Sequence, residues 1–323
     1  MTAAAIAPAL AQALDAVTVA SDGLSATVGD HTVEAPNEGV LVQKLGATLY
    51  QIVHAGRREA TMPSRPRTLR DRDLDRLFTE AMPHRTTLTE AVVHPSTDDG
   101  TFIAEINGLR VQLAESDQDR PLPPARPALA TLALPAARPA LSPGFFLTDG
   151  SRGIGRKTQM LRVYFHLTDP GTAPTVWATV LGYLEGEQLP YRAKISSNLD
   201  LYPRQDALVV YLGPQSWHAA RGLAGAVAGM PGLGATTSAL LHRIGSGVGT
   251  AWEPEDPRPG RRGLSFGEHR TGVLAEALVQ DAIRGDDRGR DHAVAEAFLN
   301  AAIDPMNPAR NLGSPALPVL DLV

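Results

Sequence analysis

The chain contains no cysteine. That excludes disulfides, thiolate catalysis, iron–sulfur clusters and cysteine-ligated zinc. Lysine is almost absent too. Lys44, Lys157 and Lys194 are the only three, and every other cationic side chain is arginine. Arginine does not lose its proton in a protein, whereas lysine can when it is desolvated or set beside other cations. Each lysine is therefore a candidate for chemistry that arginine cannot perform. No lysine or arginine precedes Lys44, so no secretory n-region is expected at the N-terminus and the expected location is cytoplasmic. No apolar run approaches the ~18 residues of a membrane span. The net charge of −5 provides no global basic field. Nucleic acid and anionic membranes are therefore not expected partners, and any bound anion must be held by a few local cations. The nine histidines lack metal-ligand spacing, and no metal site is suggested.

Helical spacing of apolar residues marks Ala5–Val19, Gly39–His54 and Leu69–Ala81. Thr101–Leu113 alternates at period two around Asn107-Gly108, a hairpin turn signal. From Arg120 to Pro143, seven prolines argue against regular structure and suggest a surface linker. Beyond it, Phe145–Thr148, Met160–Leu167, Tyr191–Ile195 and Ala207–Leu212 read as strands. Thr175–Glu185, Ser265–Arg284 and Asp291–Ile303 read as helices, with a capping box at Ser265 and Glu268 and a cap at Asp291. The expected fold is α+β: an antiparallel-rich mixed sheet flanked by helices. The division is 1–119 as a helix–hairpin N-terminal region, 120–143 as linker and 144–323 as the main domain.

The Gly150–Thr158 segment has glycine spacing like a P-loop. However, Arg156 intrudes before Lys157 and the segment precedes a strand, so a basic loop or a plain surface turn fits better. Alternation in the strand Arg162–His166 puts Arg162, Tyr164 and His166 on one face, three groups able to bind or protonate an oxyanion. The bland reading is a half-exposed sheet with polar residues outside. Lys194 sits within a strand. Arg204 and Tyr211 follow, and Arg270 lies in the first turns of the capped helix, where unpaired N–H groups and a guanidinium fork favour anions.

These segments, Leu161–Thr168, Leu189–Ile195, Arg204–Leu212 and Ser265–Arg270, in this order, resemble the HopA-type effector family over roughly residues 144–315. Similar domains form the lyase component of class V lanthipeptide synthetases and thioamide-peptide relatives. More remotely the pattern is similar to the phosphothreonine lyases OspF and SpvC. The resemblance implies that Lys194 is the base, that Arg162, Arg204 and Arg270 bind phosphate, and that Tyr211 lies close to the substrate. Tyr164 stands where those lyases have their acidic histidine, so the acid is either Tyr164 or His166.

The reaction so implied is β-elimination of phosphate from phosphoSer or phosphoThr, leaving dehydroalanine or dehydrobutyrine. It needs a base, an acid and positive charge, and no cofactor. The partners would be a phosphorylated precursor peptide, a separate Ser/Thr peptide kinase and a cyclase acting afterwards. The competing readings are a non-catalytic phosphopeptide or leader-peptide binding partner of a kinase, and a type III effector.

Overall fold

Alternation of apolar and polar residues from Phe145 onward builds the central element, a seven-stranded antiparallel sheet. The structure, a computed structural model, describes residues 6–57, 70–96, 99–106, 108–115, 126–156, 158–261, 263–285 and 288–315. Strands β1 (Val17–Val19), β2 (Ser25–Val28) and β3 (His31–Glu34) form a small meander. Strands β4 (Thr86–Val93), β5 (Thr101–Ile106), β6 (Leu109–Ala114) and β7 (Ala128–Pro135) form a second sheet in the order β6-β5-β4-β7. The large sheet contains β8 (Ala137–Ser142), β9 (Phe145–Asp149), β10 (Leu161–Leu167), β11 (Tyr191–Ser196), β12 (Arg204–Leu212), β13 (His242–Gly245) and β14 (Val248–Trp252). Its order is β13-β14-β10-β12-β11-β9-β8.

Seven α-helices accompany them among the described residues: α1 (Pro8–Leu14), α2 (Glu38–Leu49), α3 (Arg72–Ala81), α4 (Ala173–Gly186), α5 (Ala219–Ala226), α6 (Phe266–Arg284) and α7 (Arg290–Asn300). The architecture is α+β, antiparallel and flanked by helices, as the sequence suggests.

The two faces of the large sheet carry separate cores. On one, Val163, Phe165, Ala193, Ile195, Leu208 and Val210 pack with α3, α4 and α5. Trp177 is fully buried there, and its indole N–H donates to the Phe78 carbonyl at 3.2 Å. On the other, Tyr164, Val209 and Ala251 pack beneath α1, α2, α6 and α7. Helix α6 is the central rod of that layer. Ser265 and Glu268 form the expected capping box, and Gly285 ends the helix in the left-handed region at φ 59°. Val273, Leu274, Ala277 and Leu278 are its buried stripe.

Several sequence expectations need correction. The segment 120–143 is not without regular structure: from residue 126 it is described, and it contains β7 and β8. Both are edge strands, where a missing proline N–H breaks no ladder bond, and a register irregularity between Arg138 and Ser142 surrounds Pro139. The first helix stops at Leu14, and Val17–Val19, β-branched at both ends, turns into a strand. Helix α7 starts at Arg290 with Gly289 at its N-cap; Asp291 lies inside the first turn, where it pairs with Arg290. Lys157, within the glycine-rich segment, lies outside the described residues.

Candidate functional site

Direct cross-strand pairing assembles the site. In an antiparallel sheet, paired residues point to the same face. One row runs Asp149–Arg192–Tyr211–Arg162–Ala251 across β9, β11, β12, β10 and β14. The next row on that face runs Arg138–Leu147–Lys194–Val209–Tyr164. Arg162, Tyr164, Lys194 and Tyr211 thus share the face covered by α2 and α6, with Lys194 and Tyr211 towards its open side. The Lys194 ammonium stands 4.4 Å from the centre of the Phe145 ring and 6.0 Å from that of Tyr211.

Arg204 joins them through an irregularity. The pairing of β10 and β12 slips between Phe165↔Leu208 and Leu167↔Arg204. Simple alternation along β12 would put Arg204 and Tyr211 on opposite faces. The slip instead turns Arg204 and Asp206 to the α2 side, where both meet Tyr50. Arg204 donates to the Tyr50 hydroxyl at 2.9 Å, and that hydroxyl donates to Asp206 at 2.9 Å. Arg204 and Asp206 also form a bidentate ion pair.

Helix α2 ends in a π-helical turn, Tyr50–His54, a form often found at functional sites. The turn places His54 beside Tyr164, Phe266 and Asp206. Its Nε2 is 3.8 Å from Asp206, and its Nδ1 is 3.4 Å from the Ser238 hydroxyl. The close approach depends on Gly267: a β-carbon there would fall 2.3 Å from the His54 ring and 2.5 Å from that of Tyr50.

His166 lies at the irregularity itself and stays on the Arg162–Tyr164 face, since Phe165 and Leu167 on either side of it remain in the opposite core. Its half-buried ring bonds the Thr236 carbonyl at 3.0 Å through Nδ1 and packs on Gly234. Burial lowers its pKa, opposed by that hydrogen bond, and no charged group of the cluster acts on it.

The three arginines are all engaged. Arg162 grips Glu253 with Nε and Nη2 at 2.5 and 2.6 Å, and its Nη1 lies 3.5 Å from the Tyr164 hydroxyl. Arg270 is completely buried. It donates to the Pro308 carbonyl at 2.9 Å and the Asn311 side chain at 2.8 Å, and lies 2.7 Å from Nδ1 of His269. Those three partners are neutral, whereas Arg204 faces a carboxylate. Neither Arg204 nor Arg270 therefore presents a free fork at the surface.

Electrostatics sort the groups. Burial pushes the Tyr164 hydroxyl far above its ordinary value, against Arg162, so it stays a proton donor. Burial also raises Tyr211, but Lys194 and Arg162 outweigh it and hold that hydroxyl below the usual tyrosine value. His54 falls to about 4, chiefly by burial; Asp206 opposes this, and Arg204, Arg162 and Lys194 add to it. Burial lowers Arg270, opposed by Tyr164 and Asp256, yet a guanidinium keeps its proton at neutral pH.

Sequence reading missed Tyr50, His54, Asp206 and Glu253. Tyr50 and His54 are spaced i, i+4 at the end of the Leu41–Leu45–Leu49–Val53 stripe, a signal for a shared helix face. Asp206, two residues after Arg204, is a same-face strand spacing. Nothing local marks Glu253, which reaches Arg162 from the far end of β14.

Fold and site together define an α+β protein in which arginines, tyrosines and Lys194 gather between a sheet face and a helical layer. The HopA1 effector protein family model matches residues 136–310, more than half of the chain. The chain belongs to that family. Two solved structures are similar: the effector protein from Pseudomonas syringae pv. tomato strain DC3000 and that from Pseudomonas syringae pv. syringae strain 61. The first is 11% identical, with a TM-score of 0.46 over 84% of this chain and 95% of its own. The second is 14% identical, with a TM-score of 0.46 over 84% and 96%. A search of curated proteins finds no match. Among the described residues no helix is long and apolar enough to cross a membrane.

Proposed function

We propose that this protein is a phosphoserine/phosphothreonine lyase acting on a phosphorylated precursor peptide. The observation that carries the reading is the double cross-strand row that sets Lys194 and Tyr211 beside Arg162 and Tyr164. Lys194 removes the Cα proton. The electron pair forms the Cα–Cβ double bond and the Cβ–O bond breaks, with phosphate leaving. Arg162 and Tyr211 contact the departing phosphate, and Tyr164, held protonated by burial, donates to it. Arg270 acts from below: its hydrogen-bond partners are neutral, and its charge raises the positive potential under Tyr164 and Arg162. Arg204, neutralised by Asp206, anchors Tyr50 and the π-turn.

In this proposal a separate kinase supplies the phosphate and a cyclase consumes the dehydro residue. No metal or nucleotide enters any step. The test is mass spectrometry of a phosphorylated peptide incubated with the full chain alone. Loss of phosphoric acid, about 98 Da, is expected; hydrolysis would remove about 80 Da and contradict the reading. Lys194→Arg should abolish the loss while leaving phosphopeptide binding intact. Binding by the unaltered protein without any mass change would favour a non-catalytic phosphopeptide adaptor. The effectors that match in structure are a different setting for the same family, and a host-directed role would show as turnover of a host phosphoprotein but not of a precursor peptide.

A further inference from the structure

A groove of about 1010 Å3 lies between the four-stranded sheet and the β8–β9–β11 side of the large sheet. It is not lined by Lys194, but it begins one step away. Arg192 lines it and shares a strand face with Lys194, two residues along β11, a spacing of about 7 Å. Arg192 is also the direct cross-strand partner of Tyr211. Arg192 therefore links the groove to the sheet face that carries Lys194 and Tyr211.

Two kinds of side chain line the groove. Arg138, Arg152, Arg156 and Arg192 stand against the carboxylates of Glu90 and Asp149 alone. Asp149 is buried and shared: Arg138 lies 2.9 Å from it, and Arg192 donates to it at 2.6 and 3.0 Å. Arg152 and Arg156 are exposed, and among the described residues Arg152 donates to the neutral Gln188 side chain at 2.8 Å. The result is a local cationic excess in a chain of net charge −5. The groove also carries exposed aliphatic side chains, with Leu88, Leu109 and Leu141 at 51%, 72% and 59% exposure. Large aliphatic side chains grouped around a groove mark a surface that meets a partner.

We infer that this groove docks an extended, acidic, leucine-bearing segment of the peptide whose phosphorylated residue enters the Lys194 cleft. Aliphatic side chains would lie on Leu88, Leu109 and Leu141, and carboxylates would meet Arg152 and Arg156. The assignment of the occupant rests on the lyase reading; the binding chemistry of the groove does not.

Fluorescence anisotropy tests it with an unphosphorylated, fluorescein-labelled peptide rich in leucine and glutamate. A counterpart has lysine in place of glutamate. The acidic peptide should bind the full chain at least about tenfold more tightly. Arg152→Glu with Arg156→Glu should erase that preference, and Leu109→Asp should weaken binding of the acidic peptide. Lys194→Arg should bind it as the unaltered chain does, so a failure of the lyase reading leaves this result standing. Equal affinity for the two peptides, or indifference to the arginine reversals, would overturn the proposal. So would a concentration-dependent dimer in light scattering that Leu109→Asp disperses, because the groove would then be covered by a second copy of this chain.

Discussion

The ring of His54 stands edge-on to that of Tyr164, with centroids 5.6 Å apart and planes at 84°. This contact ties the helical layer to the sheet at the floor of the cleft. Burial favours the uncharged imidazole there; Asp206 opposes this, and Arg204, Arg162 and Lys194 add to it. His269 is constrained in the same way. Its Nε2 lies 2.8 Å from Asp256 and its Nδ1 2.7 Å from Arg270. Nδ1 can accept the arginine proton only if it carries none itself.

Stability should therefore fall in mild acid. Both histidines have folded pKa values of about 4, lowered from 6.5, chiefly by burial. Between those limits the unfolded chain binds protons that the folded chain refuses. Their contribution is complete above pH 6.5 and is lost progressively as the pH falls towards 4. Each shift corresponds to about 3 kcal/mol. Urea titrations from pH 7 to 4.5 should show a falling midpoint, and His54→Gln should flatten part of the slope. A midpoint that holds steady to pH 4.5 would contradict the neutral-histidine account.

The site was legible in the sequence wherever period two governs. Arg162, Tyr164, Lys194 and Tyr211 share a face because alternation is a local rule. Arg204 escaped the rule because the β10–β12 slip moves it into the cluster. A slip depends on pairing between distant strands, and no single strand announces it. The partners of the arginines were hidden for the same reason. Asn311, Glu253 and Tyr50 come from three separate elements, and only packing joins them. Proline density also misled over 120–143, since it speaks against central strands and says little about edges.

Arg204 and Asp206 should behave as a buried pair and not as ligand and bystander. Burial opposes the Asp206 charge, yet Arg204 and His54 hold its pKa far below the ordinary carboxylate value. Arg204→Met strands that carboxylate and should cost about 3–5 kcal/mol. Adding Asp206→Leu and Tyr50→Phe, which remove the groups left unpaired, should recover much of the loss. Chemical denaturation of the single and combined variants measures this. A combined variant no more stable than Arg204→Met would show that the pair is not the determinant.

Tyr164 and His166 can now be separated by place as well as by acidity. Tyr164→Phe keeps the ring contacts with His54 and Phe266 and removes only the hydroxyl near Arg162. Elimination should slow by roughly two powers of ten. His166→Asn alters a group bonded to Thr236, outside the charged cluster, and should change the rate little. Rates of both variants on one phosphopeptide at one pH decide between them. The reverse ranking would move the acid to His166.

Glu253 occupies the Arg162 fork that the proposed phosphate needs. Its carboxylate is 39% exposed, while the Arg162 side chain is 7% exposed, so the fork is reached from the Glu253 side. Burial works against the arginine's charge, and Tyr164, Tyr211 and Glu253 more than offset it. An incoming phosphate must displace one carboxylate to gain a bidentate contact. Glu253→Gln keeps the shape and one acceptor but releases most of the attraction. Phosphopeptide affinity should rise by about tenfold, equivalent to about 1.4 kcal/mol. The unphosphorylated peptide should bind as before, because the change lies at the fork and not in the groove. Titration calorimetry on both peptides at fixed ionic strength reads the difference, with thermal melting as the check on folding. Unchanged phosphopeptide affinity in a well-folded Glu253→Gln protein would mean that Arg162 never meets the phosphate, and Lys194 with Tyr211 would have to hold it alone.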